Sequence, residues 1–162
     1  MRDGQKKRDE THFGYKDHVK VDQESKIITD LTVTNAAVHD SREIVELIDE
    51  DDGVVYADSA YVGGDLQEEL KKKNPKIELK INEKGYRNHP LTEEQKESNK
   101  EKSKVRVRVE HVFGHMEKSM GGIFVRSIGI EKATVVLTLK NLAYNISRFA
   151  FLSRQRKLST IS

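Results

Sequence analysis

Residues 54–61 read VVYADSAY, and this stretch decides the fold class because a continuous apolar run ends in a carboxylate. Such a run is typical of a parallel strand that is buried on both faces. A Gly-Gly turn follows, and Asp65 with Glu68 predicts the start of a helix. Asp58 is therefore expected at the carboxyl edge of a sheet, where open α/β folds place their sites, although an aspartate here can equally cap a turn.

The segments around this strand predict a mixed α/β domain. Residues 12–21 and 26–35 both alternate apolar and polar side chains, so we expect an antiparallel hairpin with a loop of about five residues. A capping pattern at residues 40–43 predicts a short helix, and residues 77–81 alternate again as a strand. The predicted order is strand, strand, helix, strand, helix, strand.

Two long helices are predicted for the second half of the chain. The first begins at the capping box formed by Thr92 and Gln95, and the second runs from about Glu131 to Leu152. The predicted core-facing stripes are Val105, Val109, Val112, Phe113, Met116 and Met120 on the first helix, and Val136, Leu139, Ala143, Ile146 and Ala150 on the second. We expect one domain at residues 12–152, an N-terminal lead-in at 1–11 and a basic tail at 153–162.

Composition narrows the classes of protein that this chain can represent. The 162 residues include no cysteine, which excludes disulfides and thiolate metal sites. No apolar run is long enough for a membrane span or signal peptide, so we expect a cytoplasmic protein.

The net charge is only +2, but basic residues dominate positions 96–108 and no acid follows Glu131. This segregation predicts a polyanion-binding surface, whereas taken alone it is more simply explained by solvated helix faces.

Glu110 is the second candidate for a catalytic carboxylate. It adjoins the predicted buried stripe, and Arg106 lies one helical turn earlier, where it can pair with Glu110 or contact a phosphate. An ordinary surface pair is the alternative. Together with Asp58, however, Glu110 fits a two-metal phosphoryl-transfer site, because Mg²⁺ prefers oxygen ligands. A third acidic ligand is normally needed, and Asp17 and Asp30 are the only strand-borne candidates in the chain.

Several other polar residues have two interpretations each. Lys16 and His18 can reach phosphates or merely water, and His39 most simply helps to begin a helix. His111 and His115 have the i, i+4 spacing of metal ligands, but no glutamate between them completes a zinc-protease pattern. The basic residues chosen as sequence-independent phosphate contacts are Lys104, Arg106, Arg108 and Arg126.

Six runs, in order, resemble the DDE transposases of insertion-sequence family five, within the larger insertion-sequence family four group. They are HFGYKDHVKVD, VTNAAVHDS, YADSAY, RVRVEHVFGHMEKSM, RSIGIEKA and LKNLAYNISRF, and they span nearly the whole chain. The resemblance implies a ribonuclease H-like mixed sheet with flanking helices. It implies two Mg²⁺ or Mn²⁺ ions held by three carboxylates, DNA ends and target DNA as partners, and a homo-oligomer in the active complex.

In this resemblance Asp58 matches the second aspartate of the family, Glu110 its glutamate and Arg106 the arginine of its signature. The tyrosine and lysine of the larger group's signature fall on Ser103 and Glu117. The family's first aspartate lies on a strand before the hairpin, and no residue before His12 has a strand pattern.

We therefore expect a fragment of the catalytic domain that lacks the first strand. The alternatives are a non-catalytic DNA-binding or subunit-interaction remnant, and a stand-alone nuclease.

Overall fold

The computed structural model describes residues 14–38, 40–57, 64–87 and 89–159. Its elements are β1 (Tyr15–Val21), β2 (Ile28–Asn35), α1 (Asp40–Leu47), β3 (Val54–Ala57), α2 (Gly64–Lys73), β4 (Glu78–Ile81), α3 (Glu93–Ser119) and α4 (Ile130–Ser159). This order confirms the predicted α/β class. The lead-in at 1–11, His39, Asp58 and the side chain of Asp65 lie outside the described residues.

The described strands form two two-stranded sheets. β1 pairs with β2 antiparallel, and β3 pairs with β4 parallel. Parallel pairing of β3 agrees with the prediction for residues 54–61, but Val54 is exposed and Val55 only half-buried, so β3 is not covered on both faces. Both pairing types and the flanking helices are consistent with the ribonuclease H-like fold that the resemblance implies.

β2 contributes to the core mainly through Ile28, while Thr34 is buried on its other face. Leu31 and Val33 are half-buried and pair with Val19 and Asp17 of β1. The pairing register shifts between Lys20 and Val21. Across this shift Ile28 pairs with Val21, and opposed residues project to the same face, so the shift brings Ile28 onto the face of Leu31 and Val33.

Two clusters of buried apolar side chains hold the elements together. Ile28, Val112, Met116 and Tyr144 join the hairpin to α3 and α4. A second cluster, Ile48, Leu66, Leu70 and Ile77, joins α1, α2 and the start of β4. A fully buried side chain of this size stabilises a fold by about 1.5–3 kcal/mol. The first cluster therefore stabilises the packing of the hairpin on the long helices, and the second stabilises the packing of α1 and α2 beside β4.

Helix α3 follows the prediction closely. The Thr92 side chain accepts a hydrogen bond from the Gln95 amide at 3.2 Å, and the Gln95 side chain accepts one from the Thr92 amide at 2.9 Å. Val112 and Met116 are buried, as the predicted stripe required. Gly121 and Gly122 follow with φ of 74° and 79°, a backbone conformation that favours glycine, and they end the helix.

Helix α4 contradicts the predicted stripe. Its buried residues are Ala133, Leu137, Asn141 and Tyr144, whereas Leu139 and Ile146 of the predicted stripe are exposed. Apolar residues occur on nearly all sides of α4, so their period alone does not select the face that packs. The helix also continues through Ser159, past Leu152, where the pattern placed its end. Within the described residues, no helix combines the length and apolar character of a membrane span.

Candidate metal and DNA-binding site

A cavity of about 1060 Å³ separates β1 from β3. Consecutive residues of both segments border it, 16–24 on one side and 54–57 on the other. A cavity against a sheet face would touch every second residue, because side chains alternate along a strand. The cavity therefore runs along the edges of β1 and β3, and among the described strands these are the edges that β2 and β4 leave unpaired.

Glu110 borders this cavity. Glu110 and Arg106 reach it from α3, and the buried Ala57 reaches it from the end of β3. Asp58 is the next residue in the chain and lies outside the described residues. The structure thus brings three of the predicted site residues, Arg106, Arg108 and Glu110, and the carboxyl end of β3 onto one cavity.

Asp17 borders the same cavity, but its carboxylate is tied to α4. Asn141 Nδ2 donates to its two oxygens at 3.0 and 3.1 Å. Burial raises the pKa of Asp17, and this effect outweighs the opposing hydrogen bond from Asn141 and the charge of His18. Asp30, the other strand-borne candidate, is exposed, does not border this cavity and accepts a hydrogen bond from the Leu31 amide at 2.8 Å.

Asn141 is a residue that sequence reasoning missed. It is buried on α4 between Leu137 and Tyr144, and its Oδ1 has no hydrogen-bond partner. A polar residue within an apolar helix stretch was the available signal. This signal identifies Asn141 only when the buried face of α4 is known. The sequence pattern indicated the wrong face of that helix.

The predicted basic contacts are divided among three places. Arg106 and Arg108 border the large cavity, and Arg108 also donates to the Gln23 carbonyl. Arg126 borders a second cavity of about 730 Å³, which shares Asp17 with the first. Lys104 is exposed and paired with Glu101, whose hydrogen bond and charge raise the pKa of Lys104.

The histidine and lysine candidates have protein partners. Lys16 Nζ donates to the Val38 carbonyl at 2.8 Å, and His18 Nε2 lies 2.9 Å from Thr34 Oγ1. His111 Nδ1 lies 3.2 Å from Lys26 Nζ, and the ring of His115 meets the edge of Tyr144. The i, i+4 histidine pair therefore has separate surroundings rather than one shared ligand site.

The donor set of the large cavity fits a hard divalent cation. Glu110 offers an exposed carboxylate that no described cation pairs with, and oxygen is the ligand that Mg²⁺ and Mn²⁺ prefer. The described residues contain no group of three or more histidine, aspartate or glutamate side chains placed to hold a metal ion. Asp58, the other predicted ligand, stands outside those residues.

A family model described as the transposase DDE domain matches residues 2–146, most of the chain. The chain belongs to the DDE transposase family. Membership implies a metal-dependent enzyme that processes DNA, and the basic residues around the two cavities are consistent with a DNA partner. No solved structure matches this transposase domain.

Proposed function

We propose that this DDE transposase domain cuts and joins DNA at the ends of an insertion sequence of family five. Water attacks a phosphodiester at the element end and the bond to the 3′ oxygen breaks. The freed 3′ hydroxyl then attacks a target phosphodiester, joins to the target's 5′ phosphate and displaces the target's 3′ oxygen, which leaves as a hydroxyl. Asp58 and Glu110 are the proposed ligands of the divalent ions. One observation supports this most strongly, namely that Glu110, Arg106 and Ala57, which precedes Asp58, border the same cavity.

The side chains around the cavity have separable roles in this reaction. The Glu110 carboxylate binds Mg²⁺ or Mn²⁺, which stabilises the attacking and leaving oxygens when it is bound. The Arg106 guanidinium holds a phosphate by paired hydrogen bonds and so orients the scissile group. Arg108 and Arg126 contact the DNA backbone on either side and add affinity without sequence preference.

We further infer that the third carboxylate is delivered by an extended segment lying between β1 and β3. The unpaired edges of both strands face one cavity, and an extended chain is the structure that pairs with two strand edges at once. Asp17 is a weaker choice, because Asn141 already engages both of its oxygens.

Metal affinity tests the ligand assignment without requiring turnover. Mn²⁺ binding to the full chain is measured by titration calorimetry for the wild type, Asp58→Asn and Glu110→Gln, with Glu94→Gln as control. Glu94 is exposed on α3 and does not border the cavity. Each site variant should weaken binding about tenfold or more, because one anionic ligand is lost, and the control should stay within about twofold. Equal affinities for Glu110→Gln and the wild type would contradict the assignment.

Hydrogen exchange tests the extended segment. An apolar peptide that ends in aspartate is added to the full chain, and amide exchange is measured for residues 16–21 and 54–57. Protection at both edges supports the proposal, whereas protection at neither edge contradicts it. The control is the same peptide with N-methylated backbone amides, which cannot donate ladder hydrogen bonds and should protect neither edge.

Cleavage assays separate the transposase from its alternatives. Supercoiled plasmid is incubated with Mn²⁺ and the chain, alone and together with the peptide. Nicking followed by strand joining indicates a transposase, and nicking without joining indicates a nuclease. Salt-sensitive DNA binding with neither reaction indicates a non-catalytic remnant.

A further inference from the structure

Helix α4 presents a long apolar stripe to solvent. The stripe consists of Val135, Leu139, Leu142, Ile146 and Phe149, whose side chains are between 53% and 65% exposed. Soluble monomers rarely expose a contiguous row of large apolar residues, and such rows mark interaction surfaces. We call these five residues the α4 seam.

The α4 seam lies opposite the face by which α4 packs on its own domain. The helix turns about 100° per residue, which places the seam on the side away from Leu137, Asn141 and Tyr144. Within the described residues, α4 packs on β1, β2 and α3. Those contacts leave the seam uncovered.

The spacing of the seam indicates a helical partner. Its residues alternate steps of four and three, the heptad spacing by which two helices pack along a shared stripe. Ala143 and Ala150 flank the seam and are small enough to let a second backbone approach closely. A second copy of α4 has the same spacing, the same length and the same small flanking residues.

Charge selects the relative direction of the two helices. Arg154 and Lys157 lie at the C-terminal end of α4, no acid follows Glu131, and Glu131 lies in the first turn. A parallel pair would set the basic ends against each other. An antiparallel pair sets each basic end beside the partner's Glu131 and also opposes the helix dipoles favourably.

We propose that the α4 seam is a dimer interface, in which α4 of a second copy of this chain packs antiparallel. The interface lies on α4 and does not involve Glu110 or the bound metal. Its test is therefore independent of the cleavage chemistry.

Sedimentation of the full chain over a range of concentrations measures the association. Wild type should form a dimer, and Leu142→Glu should weaken it about tenfold or more, since the seam would bury a carboxylate. Ser147→Glu is the matched control, because Ser147 is exposed on the same helix but lies off the seam. It should change the dissociation constant by less than about twofold, and circular dichroism checks that both variants fold.

Disulfide trapping determines the direction, since the chain has no cysteine of its own. An antiparallel seam centred on Leu142 places Val135 of one copy near Phe149 of the other, so a mixture of Val135→Cys and Phe149→Cys should cross-link. Val135→Cys alone should not, because a disulfide requires Cα atoms within about 7 Å. A monomeric wild type, or equal effects of Leu142→Glu and Ser147→Glu, would overturn the interface. Rapid cross-linking of Val135→Cys alone would overturn its antiparallel direction.

Discussion

Asn141 Nδ2 lies 3.0 and 3.1 Å from the two carboxylate oxygens of Asp17, and this contact joins β1 to the buried face of α4. The residues are 124 positions apart in the chain. Asp17 borders both cavities, so the contact also positions the strand that forms one wall of the candidate site. Because the Asp17 carboxylate is partly buried and accepts both hydrogen bonds from Asn141, we expect it to affect both folding and the shape of the site.

Asp17→Asn should change how stability depends on pH. Burial raises the pKa of Asp17 above its ordinary value of 3.8, so the folded state binds this proton more tightly than the unfolded state does. The contribution of Asp17 to stability is therefore full below 3.8 and is lost as the pH rises through the folded-state pKa. The amide introduced by the substitution does not titrate. The stability of the variant relative to wild type should rise across that window, as measured by urea unfolding, and a difference that is constant with pH would refute the expectation.

Asn141→Leu should destabilise the fold by about 1–3 kcal/mol. The substitution removes Nδ2, which donates to both oxygens of the partly buried Asp17 carboxylate. Chemical denaturation measures this loss. The double variant with Asp17→Val should lose less than the sum of the two single losses, since no carboxylate is then left unpaired. Strict additivity would show that the contact adds no stability.

Asn145→Ala should loosen the hairpin at the start of β2. Asn145 accepts from the Ile28 amide at 2.9 Å and donates to the Ile28 carbonyl at 2.8 Å. Removing both bonds should cost about 1–3 kcal/mol of unfolding free energy. Ser147→Ala, at an exposed position of α4, is the control and should cost under about 0.5 kcal/mol. Similar losses for the two variants would argue against a role for the Ile28 contacts.

Arg126→Gln should weaken DNA binding equally for all sequences. If Arg126 contacts one phosphate, the slope of log affinity against log salt should become shallower by about 0.9. Lys71→Gln on the exposed end of α2 is the control, because Lys71 borders neither cavity. Fluorescence anisotropy over a salt series measures both slopes. An unchanged slope for Arg126→Gln would place Arg126 outside the DNA contact.

Local features of the sequence predicted local features of the structure. The Thr92 and Gln95 pattern predicted both hydrogen bonds of the α3 capping box, and the spacing of Val112 and Met116 predicted the face that α3 buries. Each of these features depends on residues within about one helical turn of each other, and that range is visible in the sequence.

Features that depend on distant surfaces were not predicted. The buried face of α4 was wrong because Leu139 and Ile146 are as apolar as the residues that pack, so the choice depends on which surface meets the hairpin. The register shift at Lys20, which brings Ile28 onto the face of Leu31 and Val33, was not predicted because it is set by pairing with β1.

The sequence by itself determined the order of the elements, the α3 capping box and the family, because these depend on neighbouring residues and on motifs read in order. Only the tertiary structure decided that Asp17 meets Asn141, that Glu110 and Ala57 border one cavity, and that the α4 seam faces solvent. Those relationships join residues far apart in the chain. They arise when whole helices and strands pack together. The free energy of that packing comes from surfaces contributed by many separate parts of the chain, so no short stretch of sequence reveals it.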